Sequence, residues 1–187
     1  MDLHNAAQWR PAILWGILLV VVLALVFIFS SQGYEQQSIL PFLREHIHPR
    51  TLAKWLPDMT ITYRMKTIDA KEMPYTFTEF IFRKSAHLFM YASFAAALYM
   101  FIRTLPVRRR SQLKAISITL VSAIIVPMID EWNQLSTSNR TGNLTDVWLD
   151  FTGCCIGMLL CYLVTSASNR RTRRTAAEHM KAGRIDE

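Results

Sequence analysis

The run PAILWGILLVVVLALVFIF, Pro11–Phe29, decides the fold class. It carries no charge, and at about 1.5 Å per helical residue it spans a hydrocarbon core of roughly 30 Å. It is longer than an ordinary signal-peptide core and no A-x-A-like cleavage site flanks it, so it reads as an uncleaved membrane helix. Three more apolar stretches follow, Ser85–Ile102, Ala115–Ile129 and Phe151–Thr165. Of the 187 residues 51% are hydrophobic and 19% charged, with the charges in blocks. A soluble core would break such runs into amphipathic patterns.

The third and fourth stretches are too short as they stand. Fifteen apolar residues before Asp130 cover about 22 Å, less than a bilayer core. Helix three must therefore continue through Asp130-Glu131-Trp132-Asn133-Gln134, and helix four must begin near Thr145 and include Asp146 and Asp150. Pro127, one turn before Glu131, is expected to kink helix three. The expected fold is an all-α membrane protein: a four-helix transmembrane bundle with spans near 11–29, 83–102, 113–134 and 145–165, forming one domain over 1–165 before a basic tail at 166–187. The long loop 30–82 has its own pattern. Leu40–Leu56 has the spacing of a helix lying along the membrane surface, Met59–Ile68 reads as a short β-hairpin ended by Pro74, and Phe77–Phe82 leads into helix two.

Basic residues orient the bundle. Segments 1–10, 103–114 and 166–187 hold 12 basic and 4 acidic residues, against 9 and 10 in the rest of the chain. The positive-inside rule then places both termini in the cytoplasm and the 30–82 loop outside. The excess of positive charge is thus an orientation signal that suits anionic inner-leaflet lipid. No nucleic-acid motif accompanies it, so nucleic acid is not an expected partner. Cys154, Cys155 and Cys161 lack zinc-type spacing and read as small apolar filler.

All four helices deliver polar groups to one end. Arg83, His87 and Tyr91 recur at i+4, and Lys84 and His87 at i+3. Asp146, Asp150, Gly153 and Gly157 form one stripe, and the G-x-x-x-G step lets a neighbouring helix approach closely. Ser31 and Gln32 end helix one, and Arg140 lies in the short outer link. An ion in the hydrocarbon region costs about 2.5–3.5 kcal/mol on insertion scales, so these groups should face each other or a water-filled cavity. Arg83, Lys84 and Arg140 nearly balance Asp130, Glu131, Asp146 and Asp150.

These pieces resemble the VanZ-like family in order and spacing: Ser30-Ser31-Gln32, Arg83-Lys84-x-x-His87-x-x-x-Tyr91, Asp130-Glu131-x-x-Gln134, Arg140-x-Gly142 and Asp146-Val147-x-x-Asp150-x-x-Gly153-x-x-x-Gly157. The resemblance covers about Phe29 to Gly157. The founding member of that family is associated with resistance to the glycopeptide teicoplanin, so the resemblance implies a bacterial envelope protein of the cell membrane without assigning it a reaction. The chain departs from the family at Leu135-Ser136-Thr137-Ser138-Asn139, where an aromatic residue and a proline are usual.

Three readings follow. The first is a binding protein whose outer cavity takes an anionic or zwitterionic ligand: a membrane lipid, a lipid-linked cell-wall precursor or a glycopeptide. Arg83, Lys84 and Arg140 would grip the anion, with Gln134, Asp146, Asp150, Ser31 and Gln32 around it. The second is an enzyme acting on an envelope lipid or glycan, with His87 and Asp130 or Glu131 as the acid–base pair. The third is a structural bundle in which the same charges pair and His87 merely bonds Asp130 or Glu131. No metal ligands are assigned. The carboxylates with His87 could hold a divalent cation, but no H-E-x-x-H accompanies them and the basic residues compete for them. The oligomeric state is left open.

Overall fold

The computed structural model describes residues 3–63, 66–106, 112–135 and 144–182. Its order is α1 (Leu3–Ser30), a 3-10 turn (Glu35–Gln37), α2 (Leu40–His46), α3 (Pro49–Trp55), β1 (Thr60–Tyr63), β2 (Lys66–Asp69), α4 (Pro74–Thr104), α5 (Gln112–Leu135) and α6 (Leu144–Ala182). Among the described residues four stretches are long and apolar enough to cross a membrane: Gln8–Ser30, Pro74–Thr104, Gln112–Gln134 and Thr145–Arg171. The expected all-α bundle is therefore present, with a small two-stranded sheet beside it. Helix three does run past Ile129, through the buried Pro127, and carries Asp130 and Glu131 inward.

Four boundaries differ from expectation. Helix two begins at Pro74 rather than Arg83, so the loop after α1 ends at Met73 and Phe77–Phe82 is helical. Pro74 opens the helix at its first turn, where a missing N–H costs nothing. At 31 residues, α4 is about 46 Å long, so its first turns stand clear of a bilayer core. The expected helix over Leu40–Leu56 is two helices, broken at Ile47-His48, because Pro49 disfavours helix in the residue before it. His48 caps α3, its Nδ1 accepting from the Arg50 N–H at 3.3 Å. At the far end α6 continues unbroken to Ala182 where a separate tail was expected. Finally α1 begins at Leu3, well before Pro11.

The hairpin forms where the alternating Thr60-Ile61-Thr62-Tyr63 places it, in antiparallel register with Thr60 opposite Asp69 and Tyr63 opposite Lys66. In the bundle, Val22 and Val26 of α1, Tyr91, Phe94 and Ala95 of α4, Ala123 of α5 and Cys154 of α6 form the buried core. The tightest seam joins α4 to α6. A Cβ added at Gly157 would lie 2.0 Å from the Ala92 carbonyl oxygen, and one at Gly153 would lie 2.6 Å from that of Leu88. Backbone touches backbone there, as the glycine stripe foretold. Exposed side chains such as Leu14, Val20, Leu113 and Val164 leave the outside of the bundle apolar, as lipid contact requires. The three cysteines are free, and Cys154 is core filler.

Candidate functional site

The polar groups gather at the end of the bundle that carries the hairpin. α4 supplies two basic residues, and they take different partners. Lys84 forms an ion pair with Asp146 at the start of α6. The Tyr63 hydroxyl, from the hairpin, also donates to Asp146 and lies 3.1 Å from the Lys84 ammonium. That ammonium sits 4.5 Å over the Tyr63 ring, and Phe80 packs edge-on against Tyr63 at 5.1 Å. Arg83 points the other way, its guanidinium 4.4 Å over the ring of Tyr34. Among the described residues Arg83 pairs with no carboxylate.

His87, one turn beyond Arg83, makes its ion-pair contact with an acid other than the expected Asp130 or Glu131. Its Nδ1 lies 3.3 Å from Oδ1 of Asp150. The Gly153 and Gly157 contacts bring α6 against α4, which places Asp150 beside His87. Asp130 is still close: one donor atom each from His87, Asp130 and Asp150 lie within 4.8 Å of one another. Asp130 and Asp150 are 2% and 1% exposed. Gln134 donates to Asp130 Oδ2 at 2.8 Å, an i+4 bond along α5. Among the described residues Asp130 Oδ1 has no aligned hydrogen-bond partner, and the Asp150 Oδ1 contact with the imidazole is not aligned as a hydrogen bond. Tyr91 is buried one turn past His87, its ring 6.4 Å from the imidazole and its hydroxyl beside Asp130 without an aligned hydrogen bond among the described residues. Glu131 is buried beside Asp130 but is not one of the three clustered groups.

Ser31 and Gln32 fall where α1 ends. The Ser31 hydroxyl donates back to the Phe27 carbonyl at 2.9 Å and accepts from Asn133 at 3.2 Å, while the neighbouring Ser30 accepts from Asn133 at 3.0 Å. This ties α1 to α5. Gln32 accepts from Gln37 at 3.5 Å. Arg140 and the link around it lie outside the described residues.

Sequence reasoning missed Glu79. It is 2% exposed and accepts from the Tyr34 hydroxyl at 2.6 Å, the Ser38 hydroxyl at 2.6 Å and the Ile39 N–H at 3.2 Å. One carboxylate thus fastens the segment after α1 to α4. Burial first, and then the bond to Glu79, hold the Tyr34 hydroxyl above its usual phenol pKa, so it stays a donor. The sequence signal was a lone acid in the apolar stretch Phe77–Phe82, one turn before Arg83. Tyr63 left no such signal, since its role depends on where the hairpin docks.

Between α1 and α4 is a cavity of about 380 Å³. Gln32, Arg83, His87 and Asp130 supply its polar wall, and Val26, Phe29, Phe82, Phe89 and Met90 its apolar wall. Its size falls within the range of about 300–1,000 Å³ typical of small-molecule sites. Lys84, Asp146 and Asp150 are not part of its lining.

No curated protein and no solved structure matches the sequence. A family model described as VanZ/LLP1 does, over residues 15–165, a span that reaches into all four apolar helices and takes in every clustered group above. The chain belongs to the VanZ/LLP1 family and, with four membrane-length helices, is a multi-pass membrane protein of the bacterial envelope.

Proposed function

We propose that this protein binds the anionic or zwitterionic head group of a membrane amphiphile in the cavity between α1 and α4, with Arg83 as the anion grip. The observation that carries this reading is the two-sided lining of that cavity. A guanidinium without a carboxylate partner among the described residues shares the space with Phe29, Phe82, Phe89 and Met90. A cation in a membrane segment is costly unless something balances it. A phosphate or carboxylate would, and an acyl or polyprenyl chain would cover the apolar wall. Lys84, already committed to Asp146, has a positioning role in this scheme, which departs from a joint Arg83–Lys84 grip. By the positive-inside rule the cavity faces the outer leaflet, because Arg103, Lys114, Arg170 and Arg171 all lie at or beyond the other end of the bundle.

The test is lipid binding by the purified full chain in detergent, read by native mass spectrometry. The arms are phosphatidylglycerol, phosphatidylethanolamine, undecaprenyl phosphate, diacylglycerol and teicoplanin. One or more phosphate-bearing amphiphiles should bind, and diacylglycerol should not. Arg83→Gln should weaken binding by about 10- to 100-fold, the worth of one hydrogen bond to a charged group at about 1.5–3 kcal/mol, and Arg83→Lys by less. Equal binding of diacylglycerol, or no loss in Arg83→Gln, would overturn the reading.

The approach of His87 to Asp150 supports a second reading, in which His87 acts as general base on the bound head group. It predicts chemical conversion of a bound amphiphile by the wild-type protein and none by His87→Gln. Recovery of every amphiphile unchanged after prolonged incubation would exclude it.

A further inference from the structure

Two carboxylates and an imidazole converge from three different helices, His87 on α4, Asp130 on α5 and Asp150 on α6, with their donor atoms within 4.8 Å of one another. We propose that they form a binding site for a divalent transition-metal ion of the Mn²⁺ or Zn²⁺ class. The claim stands apart from amphiphile binding and does not need it.

Charge is the first argument. Asp130 and Asp150 are almost wholly buried, and two like charges this close in an apolar bundle repel strongly. Neither basic residue near them on α4 forms an ion pair with either acid among the described residues: Lys84 pairs with Asp146, and the Arg83 guanidinium lies over the Tyr34 ring. A dication beside a neutral imidazole cancels both negative charges.

The second argument is an unfilled valence. Asp130 Oδ1 is buried without an aligned hydrogen-bond partner among the described residues, while the other oxygen of the same carboxylate is held by Gln134. That bond does for the carboxylate what outer-shell partners commonly do for metal ligands: it holds one oxygen and leaves the other to a ligand. The Asp150 Oδ1 likewise has no aligned donor.

The third is spacing. Ligand bonds of about 2.0–2.2 Å put neighbouring donors of a tetrahedral ion about 3.3–3.6 Å apart. His87 Nδ1 and Asp150 Oδ1 are already at 3.3 Å, and the Asp130 donor lies within 4.8 Å of the other two groups' donors. One nitrogen with two carboxylate oxygens suits borderline ions better than Ca²⁺, which takes six to eight oxygens. His87 and Asp130 also line the cavity, so an ion there keeps an open position toward it, as in reactive rather than closed structural sites.

The experiment uses the full chain in detergent, stripped with chelator and dialysed. Mn²⁺ is titrated in, and the free ion is followed by its six-line EPR signal, with Zn²⁺ as competitor. Saturable binding of one ion per chain is expected. His87→Gln, Asp130→Asn and Asp150→Asn should each weaken it at least about tenfold, while Asp58→Asn, on an exposed acid far along the chain, should leave it unchanged. If the ligand variants fail to fold, pulsed EPR on Mn²⁺-loaded wild-type protein decides, because a bound imidazole nitrogen gives a resolved coupling. Absence of saturable binding, absence of that coupling, or equal binding in all three variants would overturn the site. Loss of amphiphile binding alone, with metal binding intact, would sink only the proposed function.

Discussion

Helix α4 has two unlike faces. Toward α6 it meets backbone: the positions of Gly153 and Gly157 leave no room for a single methyl group. Toward α1 it meets side chains, and near the polar end the two helices part to leave a cavity of about 380 Å³. The dry seam fixes the depth and phase of α6, and so the position of Asp150. The open face holds Arg83, with the aromatic and apolar side chains around it. The same helix therefore builds a rigid anchor on one side and a receptive space on the other.

The α4–α6 seam is most sensitive at Gly157. Gly157→Ala would set a Cβ 2.0 Å from the Ala92 oxygen, which only separation of the backbones relieves. The loss should exceed the roughly 1–3 kcal/mol usual for overpacking, and little monodisperse protein should survive gel filtration. Next comes Glu79→Ala, which strands three donors. A cost of about 2–3 kcal/mol is expected, with Glu79→Gln milder, read as a lowered melting temperature in detergent. Gly16→Ala sharpens the contrast from the other face. Its Cβ would meet only the edge of the Phe101 ring at 3.1 Å, and a side chain can yield. Its melting temperature should fall by an amount worth less than about 1 kcal/mol. Nearly equal losses at Gly16 and Gly157 would erase the distinction between the faces.

The smallest effect belongs to the hairpin. The Glu72 N–H at 2.9 Å, the Thr60 hydroxyl at 2.7 Å and the Lys71 N–H at 2.8 Å hold the Asp69 carboxyl below its ordinary pKa. A depressed native pKa means that the ionised form stabilises the fold. That contribution is complete above the unfolded value of about 3.9 and is lost as pH falls through the native one. Backbone chemical shifts at Thr60 and Ile61 should move toward unpaired values over that acid range. In Asp69→Asn they should start shifted and stay flat.

Much of this was legible in the sequence, and the reasons are physical. Pro11–Phe29 could only be a membrane span, and the shortfall of the Ala115–Ile129 stretch forced Asp130 into the helix. The alternation at Thr60–Tyr63 located a strand, and the Gly153 and Gly157 spacing marked the close seam. Pro49 was a visible break in the surface helix, yet the apolar spacing across it suggested continuity. What remained hidden depended on distant neighbours. Pro74–Phe82 looked like a loop because it contains Glu79, whose burial makes sense only once Tyr34, Ser38 and Ile39 stand over it. The contact of His87 with Asp150, where Asp130 or Glu131 was expected, was hidden because spacing along one helix says nothing about the rotation of another. Membership of the VanZ/LLP1 family, foreshadowed by the motifs from Ser30 to Gly157, rests on the match over residues 15–165.

The Lys84–Asp146 contact has a temporal consequence. Its two residues belong to the second and fourth spans, and a ribosome makes the second long before the fourth. Until α6 enters the bilayer, Lys84, His87 and Tyr63 have none of their final acidic partners on that helix. Insertion of the last span is therefore the event that closes the polar end, and a nascent chain halted before Thr145 would expose an incomplete, cationic surface to whatever surveys the membrane.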